Sequence, residues 1–393
     1  MKKSICLFLC VLMLLSPFVY SATAFASAYT YVENNDSDEE KEVPEFATEN
    51  VDAFSLKLTS YNGDKENVVI PDTVDGKPIV AVGGYCFDED VDVKSVTLPK
   101  TVKSIGTKAF YHCYSLESVN LENVESVGKK AFAGCEKLDN LALESVQSID
   151  EYAFGYCSSA ENITIGDSIF YIGTNAFYNS AAYKNALGGS KRAFYLGNCL
   201  IKVLTNRGAK KFRVKSSTTL IAENAFHKIK KKNKSKITNV YLPDSVKTLC
   251  WRALDEKSIK KIRLPKGIEN LSSSAFSEKY YNKNRTYKDG CYYLNNYLLD
   301  CKPNALKIKI KKGTTVIANS ALYGCLAKKI VIPKGVKYLG FDAISACPLL
   351  KTVSVPDADQ FKIIQPGEAA GEECCLTASE KAVYVALALC INN

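Results

Sequence analysis

The chain has 393 residues, 51 Lys plus Arg against 42 Asp plus Glu, and a formal charge of +9. That length has room for a large core or a long repeat array, and with only two histidines, His112 and His227, it excludes designs built on several imidazoles. It contains no HExxH, His-Asp-Ser arrangement, P-loop or paired zinc knuckle, so no enzymatic activity, cofactor or metal is expected.

Taken in chain order, the first segment is not expected to join the fold. Lys2 and Lys3 precede an apolar run broken by Ser16 and Pro17, and small residues then offer cleavage sites after Ala26 or Ala28. Residues 1–26 read as a secretory signal peptide, because the apolar run is short and ends in a cleavage pattern. Removing it lowers the charge to +7 and takes Cys6 and Cys10, leaving 13 of 15 cysteines. Residues 27–53 are acidic and contain Pro44, which predicts a flexible spacer.

Residues 54–356 are self-similar. Ala-Phe pairs at Ala109-Phe110, Ala131-Phe132, Ala153-Phe154 and Ala176-Phe177 step by 22, 22 and 23 residues. Further copies fall at Ala225-Phe226 and Ala275-Phe276, with Leu or Ile variants at Leu254, Leu322 and Ile344. In each unit two apolar residues alternate, as Val96 and Leu98 do, which predicts a short strand with one buried face. A proline such as Pro99 ends it, since proline gives no ladder hydrogen bond. Ala-Phe-x-x-Cys has i to i+3 spacing over about one helical turn. A unit of this size cannot bury its apolar side alone, so stacking is required, as in a solenoid. Two insertions break the phase, near 181–208 and 280–302. Alternation around Gly197-Asn198 and Asn295-Asn296 predicts a projecting β-hairpin in each. Residues 357–393 do not match the unit and read as a cap or a tail, and no later segment is apolar over the length of a bilayer.

The repeated "LPxxVxxIGxxAFxxC" pattern resembles the BspA-like leucine-rich repeat proteins, a bacterial cell-surface family. The resemblance implies a curved, right-handed α/β solenoid of leucine-rich repeats, with parallel strands on the concave face and short helical turns on the convex face. It also implies adhesion, with some members binding host extracellular-matrix proteins.

The repeat decides what "KAFYHCYSL" means, where His112 adjoins Cys113 like a nucleophile with its base. Cys113, Cys135, Cys157, Cys325 and Cys347 all stand three residues after the Phe position, in the same ladder phase as Phe110, Phe132, Phe154 and Phe177. They read as buried free thiols acting as small apolar residues. Equivalent side chains in neighbouring coils run parallel at ~4.8 Å or more, which argues against disulfides and against a tetrahedral metal site. His112, between inward-facing residues, is expected to face solvent.

Residues between the buried pair of each strand should line the concave face. They are small and neutral in the early repeats (Ser95, Thr97, Ser118, Asn120), then become Lys211, Arg213, Lys215, Lys261, Arg263, Lys309, Lys311 and Lys329, interrupted by Asn239 and Tyr241. Columns of like charge a few ångströms apart would repel, and an anion would relieve them. The alternative is a set of solvated lysines that keeps a strand-rich face soluble. Tyr292, Tyr293 and Tyr297 crowd the second hairpin, either as a recognition surface or as its packing. The expected protein is secreted or held at the cell surface, with no sorting motif or lipobox and no membrane span after cleavage. Its expected partner is an extracellular protein through the repeat surface, or alternatively an anionic glycan or wall polymer on the basic strand face. Nucleic acid is not an expected partner for an exported chain.

Overall fold

Each coil of the repeat contributes not one strand but two. The computed structural model describes residues 44–354, apart from 190–191, 206–207 and 230–235, and the backbone of 362–363. The expected signal peptide and nearly all of the C-terminal segment therefore lie outside the described residues. The predicted strands stack in parallel: Asn67–Val69, Ser95–Thr97 and Ser118–Val119 form one ladder, and Asn140–Leu143 pairs with Asn162–Ile165. A second ladder, only two residues wide at most rungs, runs through Lys77–Val82, Ser104–Ile105, Ser126–Val127, Ser148–Ile149 and Tyr171–Ile172. Its Ile105, Val127, Ile149 and Ile172 are buried at 0–1% exposure, so each rung adds one core residue.

The Ala-Phe segment is not helical, which corrects the expectation for that side of the coil. It is a run of hydrogen-bonded turns: Ala109 N–H donates to Gly106, Tyr111 to Lys108 and Cys113 to Phe110. Lys108 and His112 have positive φ (55° and 58°), and so do Lys130 and Gly134, Tyr152 and Tyr156, and Asn175 and Asn179. A left-handed residue every fourth position prevents an α-helix from propagating. The freed groups bond to the next coil instead: Phe110 N–H donates to Ala131 O at 2.7 Å and His112 N–H to Ala133 O at 2.9 Å. The coil is thus held by three intercoil ladders, two of strands and one of turns. The two helices among the described residues, α1 (Ala181–Gly188) and α2 (Glu278–Asn284), lie in the insertions.

Phe87, Phe110, Phe132, Phe154 and Phe177 stack face to face through the core, with centroids 4.8, 4.9, 5.2 and 5.7 Å apart. Beside them the thiols do more than fill space. Cys113 donates to Phe87 O at 2.9 Å, Cys135 to Phe110 O at 3.0 Å and Cys157 to Phe132 O at 3.1 Å. Burial pushes the Cys135 and Cys157 thiols well above the ordinary range, which keeps them protonated and able to donate. Each cysteine therefore satisfies a carbonyl of the preceding coil. Cys135→Ala should cost about 1–2 kcal/mol in a urea melt, combining a small cavity with a lost hydrogen bond.

Three further expectations change. Part of the predicted spacer is folded: Phe46–Asn50 pairs antiparallel with Leu56–Tyr61, Phe46 packs on Tyr61 at 5.4 Å, and Glu45 and Glu49 bind Lys65 and Lys57. Acidic composition concealed a strand because its charges are paired with lysines of the first coil. The hairpins do not project. Ala193–Leu196 pairs with Cys199–Val203, and that strand runs parallel to Leu220–Ile221; Cys291–Leu294 pairs with Tyr297–Cys301, which runs parallel to Val316–Ile317. Each hairpin thus supplies a rung of the second ladder. At the far end, Lys362–Ile363 pairs with Tyr338–Leu339, so the ladder enters the segment that sequence left unassigned.

After the first insertion the chain rejoins the stack through Glu223, whose N–H donates to Ile172 O. Its carboxylate accepts from Tyr171 Oη at 2.9 Å and from the Thr174 N–H and hydroxyl at 3.0 and 2.9 Å. Nearby, burial lowers the Lys202 ammonium to about 8, helped by Lys228, while its Nζ donates to Asn224 O at 2.8 Å. A lysine whose folded pKa is depressed destabilises the fold wherever both states are charged, and the penalty disappears as pH rises from about 8 to the unfolded value. Lys202→Met should therefore unfold at higher denaturant than the parent at pH 7, and the gap should narrow in melts taken towards pH 10.

Candidate binding surface

The strand face changes chemistry along the stack, and the register shows how. In the early coils the outward positions bond to one another: the Ser95 hydroxyl donates to Asn67 Oδ1 at 2.6 Å, and Asn162 Nδ2 to Asn140 Oδ1 at 3.1 Å. The later ladder of Lys211–Arg213, Asn239–Tyr241 and Lys261–Arg263 places Lys211, Asn239 and Lys261 on one line and Arg213, Tyr241 and Arg263 on the next. Phe212 and Val240 turn inward, and Lys211, Arg213, Lys261 and Arg263 are exposed.

The interruption by Asn239 and Tyr241 falls between the two cationic strands. Asn239 and Tyr241 hold the cations two strands apart, about 9–10 Å, so the predicted repulsion is largely relieved. Tyr241 also takes the Arg213 guanidinium over its ring, 4.3 Å from the centroid. Arg263 reaches Asp244 at 3.4 Å, an exposed pair of little energetic weight. The result is four cations around one Tyr-Asn rung.

The remaining predicted site residues lie elsewhere. Lys329 is exposed but belongs to a separate rung, opposite Thr352. Lys215, Lys309 and Lys311 are not on ladder strands. Lys215 Nζ sits 4.3 Å from the Tyr195 ring centroid and Lys311 Nζ 4.5 Å from that of Tyr293, while Lys309 N–H donates to Asp289 O beside the second hairpin. Tyr292 and Tyr297 are 1% and 2% exposed and offer no recognition surface. The Tyr297 hydroxyl donates to Pro265 O at 2.8 Å, and Tyr292 packs on Tyr281. Hairpin packing is the correct reading for both, because a strand built into the ladder turns alternate rings inward.

Sequence reading missed that the two insertions are one module used twice. Ser180 and Ser277 both cap a short helix, accepting from Tyr183 and Tyr280 N–H. Each hairpin shifts register just before its tyrosine, between Phe194 and Tyr195 and between Tyr292 and Tyr293. Each tyrosine hydroxyl then accepts from the backbone of the lysine it holds, Lys215 at 3.4 Å and Lys311 at 3.0 Å. "KFRVK" and "KIKIK", from Lys211 and Lys307, were the available signal. The first copy borders a cavity of ≈ 260 Å³ lined by Glu161, Asn185, Tyr195 and Lys215 among others.

The turn side carries an aromatic edge that was also missed. Tyr85, Tyr114, Tyr156 and Tyr178 are exposed, and Lys108 lies over Tyr85 and Tyr111. His112 belongs to this edge and is half-buried, not solvent-facing as expected. It stacks on Tyr111 and Tyr114 and covers Gly134, where a Cβ would strike its ring. Its position in the coil is the left-handed one that Gly134, Tyr156 and Asn179 fill in the following coils. The neighbouring Cys113 points the other way, to Phe87 O, so the two make no catalytic pair. Among the described residues no group of three or more His, Cys, Asp or Glu side chains is placed to hold a metal, and no helix is long and apolar enough to cross a membrane.

Coils stacked through parallel ladders, with buried apolar residues in two core clusters and an open strand face, define a repeat scaffold of the kind that binds large partners. The chain belongs to the family of the BspA-type leucine-rich repeat region, six copies of which match residues 64–191, 202–325 and 293–368. Membership points to a cell-surface protein with a binding or adhesion role. Among solved structures the chain is similar to a leucine-rich cell surface protein of Faecalibacterium prausnitzii, at 22% identity over 82% of this chain and 96% of that chain, with a TM-score of 0.33. It is similar to the T. pallidum leucine-rich repeat protein at 23% identity over 57% and 84% of the two chains (TM-score 0.29), and to the pneumococcal vaccine antigen PcpA at 16% over 82% and 84% (TM-score 0.27). No curated protein matches the chain.

Proposed function

We propose that the chain is an exported, non-enzymatic adhesion protein that binds extracellular proteins of a host or neighbouring cell through its repeat surface. Exposed side chains held in register on a rigid ladder support this reading, because the scaffold fixes their spacing before any partner arrives. The observation that carries it is the line Arg213-Tyr241-Arg263 across three rungs, where two exposed guanidiniums flank a half-buried tyrosine, residue types favoured at protein interfaces.

A second reading is favoured by the surrounding charge. Lys211, Arg213, Lys261 and Arg263 form a cationic face suited to an anionic glycan or wall polymer, with Asp244 as the acid found against it. The two readings separate on salt. Binding of the full chain to immobilised extracellular-matrix proteins and to a heparin-type sulfated glycan should be measured from low to high salt. Steep loss with salt on the glycan supports the second reading. Glycan binding that is absent or indifferent to salt removes it, and failure to retain any extracellular protein removes the first.

A further inference from the structure

The C-terminal end of the cysteine ladder departs from the rest. Cys113, Cys135 and Cys157 are fully buried, and each donates to a carbonyl at 2.9–3.1 Å. Cys325 and Cys347 occupy the same place in their coils, yet their sulfurs are 3.4 Å apart. Cys347 lies 3.3 Å from Leu322 O and 3.4 Å from Ser345 O, looser contacts than those of its counterparts. Cys325 is buried, and Cys347 is partly open to solvent.

We propose that Cys325 and Cys347 are an oxidisable pair, which a small-molecule disulfide converts into a cross-link between consecutive coils at the C-terminal end of the described stack. Intercoil disulfides are disfavoured only where equivalent side chains stay parallel. Backbones stacked at ~4.8 Å already fall within the 4.4–6.8 Å Cα separation of disulfides, so only side-chain convergence is needed. At this rung the sulfurs have converged. Bonding length is ~2 Å, so ~1.4 Å of closure remains, within the reach of side-chain rotation.

The chemistry is thiol–disulfide exchange. Cys347 is the sulfur open to solvent. The Cys325 sulfur beside it holds its thiol above the ordinary range, so it first loses its proton to solvent. The thiolate then attacks one sulfur of the small disulfide RS–SR, forming Cys347–SR and releasing RS⁻, which takes up a proton. Cys325, as thiolate, then attacks the Cys347 sulfur, forming the protein disulfide and expelling the second RS⁻. Two protein thiols are oxidised, and one small disulfide is reduced to two thiols. The second attack is favoured by proximity, since the Cys325 sulfur already lies 3.4 Å from that of Cys347. The product would staple a coil near the end of the array, where terminal repeats have a neighbour on one side only.

The test is to treat the reduced, purified full chain with oxidised glutathione, alkylate the remaining thiols and map the cross-links by non-reducing digestion and mass spectrometry. The expected product is a peptide joining Cys325 to Cys347, two hydrogens lighter than its reduced components, with Cys113, Cys135 and Cys157 still thiols. Cys325→Ser should trap one glutathione on Cys347. A wild-type chain left with a stable glutathione adduct on Cys347 overturns the proposal. So does a wild-type chain in which Cys291 and Cys301, which face each other across the second hairpin, cross-link while Cys325 and Cys347 stay reduced. A Cys325→Ser chain with no adduct on Cys347 overturns the order of attack and with it the proposal.

Discussion

Replacing Phe132 with alanine is expected to remove roughly 3–5 kcal/mol of folding stability. The ring is 0% exposed and lies between Phe110 at 4.9 Å and Phe154 at 5.2 Å, nearly parallel to both. Truncation opens a cavity that three coils share. The backbone around it is pinned by the turn ladder, where Phe132 N–H donates to Ala153 O at 2.8 Å, so the void cannot collapse easily. In a nearest-neighbour array a weak central interface should also split one urea transition into two. His112→Ala is the control. It removes a half-buried ring stacked on two tyrosines and leaves alanine at positive φ, which should cost about 1 kcal/mol. Equal midpoints for the two variants would contradict the assignment of Phe132 to the core and His112 to the edge.

The second large effect concerns binding. Changing Lys211, Arg213, Lys261 and Arg263 together to glutamine should weaken binding to a sulfated glycan by at least about 100-fold at low salt. It should also flatten the dependence of log affinity on log salt by about 3, at roughly 0.7–0.9 for each of the four lost contacts. The fold should survive, because all four side chains point outward while Phe212 and Val240 hold the rungs. Lys94→Gln with Lys103→Gln is the control: these two lysines pair with Glu66 and Glu125, away from the cationic rungs, and should leave affinity unchanged. A control loss half as large in log affinity as that of the quadruple variant, two charges against four, would mean that net charge alone drives binding. If the quadruple variant keeps its affinity for an extracellular protein but not for the glycan, the protein partner uses another part of the surface. The aromatic edge from Tyr85 to Tyr178 would then be the next surface to change.

Much of this architecture is legible in the sequence because a repeat writes the same instruction many times. Ala-Phe-x-x-Cys at a constant step places Phe110, Phe132 and Phe154 in one column and Cys113, Cys135 and Cys157 in another, and stacking is the only arrangement that buries them all. The family resemblance follows from the same residues. The second strand ladder was not legible, since two residues such as Ser104 and Ile105 are too few to show alternation. The turn ladder was hidden too, because Lys108, Tyr152 and His112 adopt a left-handed backbone that their residue types do not announce. Whether a tyrosine in a hairpin faces out or in depended on which rung the hairpin joined. The sequence by itself determined the content of one coil: its period, its inward residues and the need for neighbours. Only the tertiary structure decided what lies between coils, from the Arg213 guanidinium over the Tyr241 ring to the converging sulfurs of Cys325 and Cys347, because those distances depend on how separate turns of the chain settle against each other.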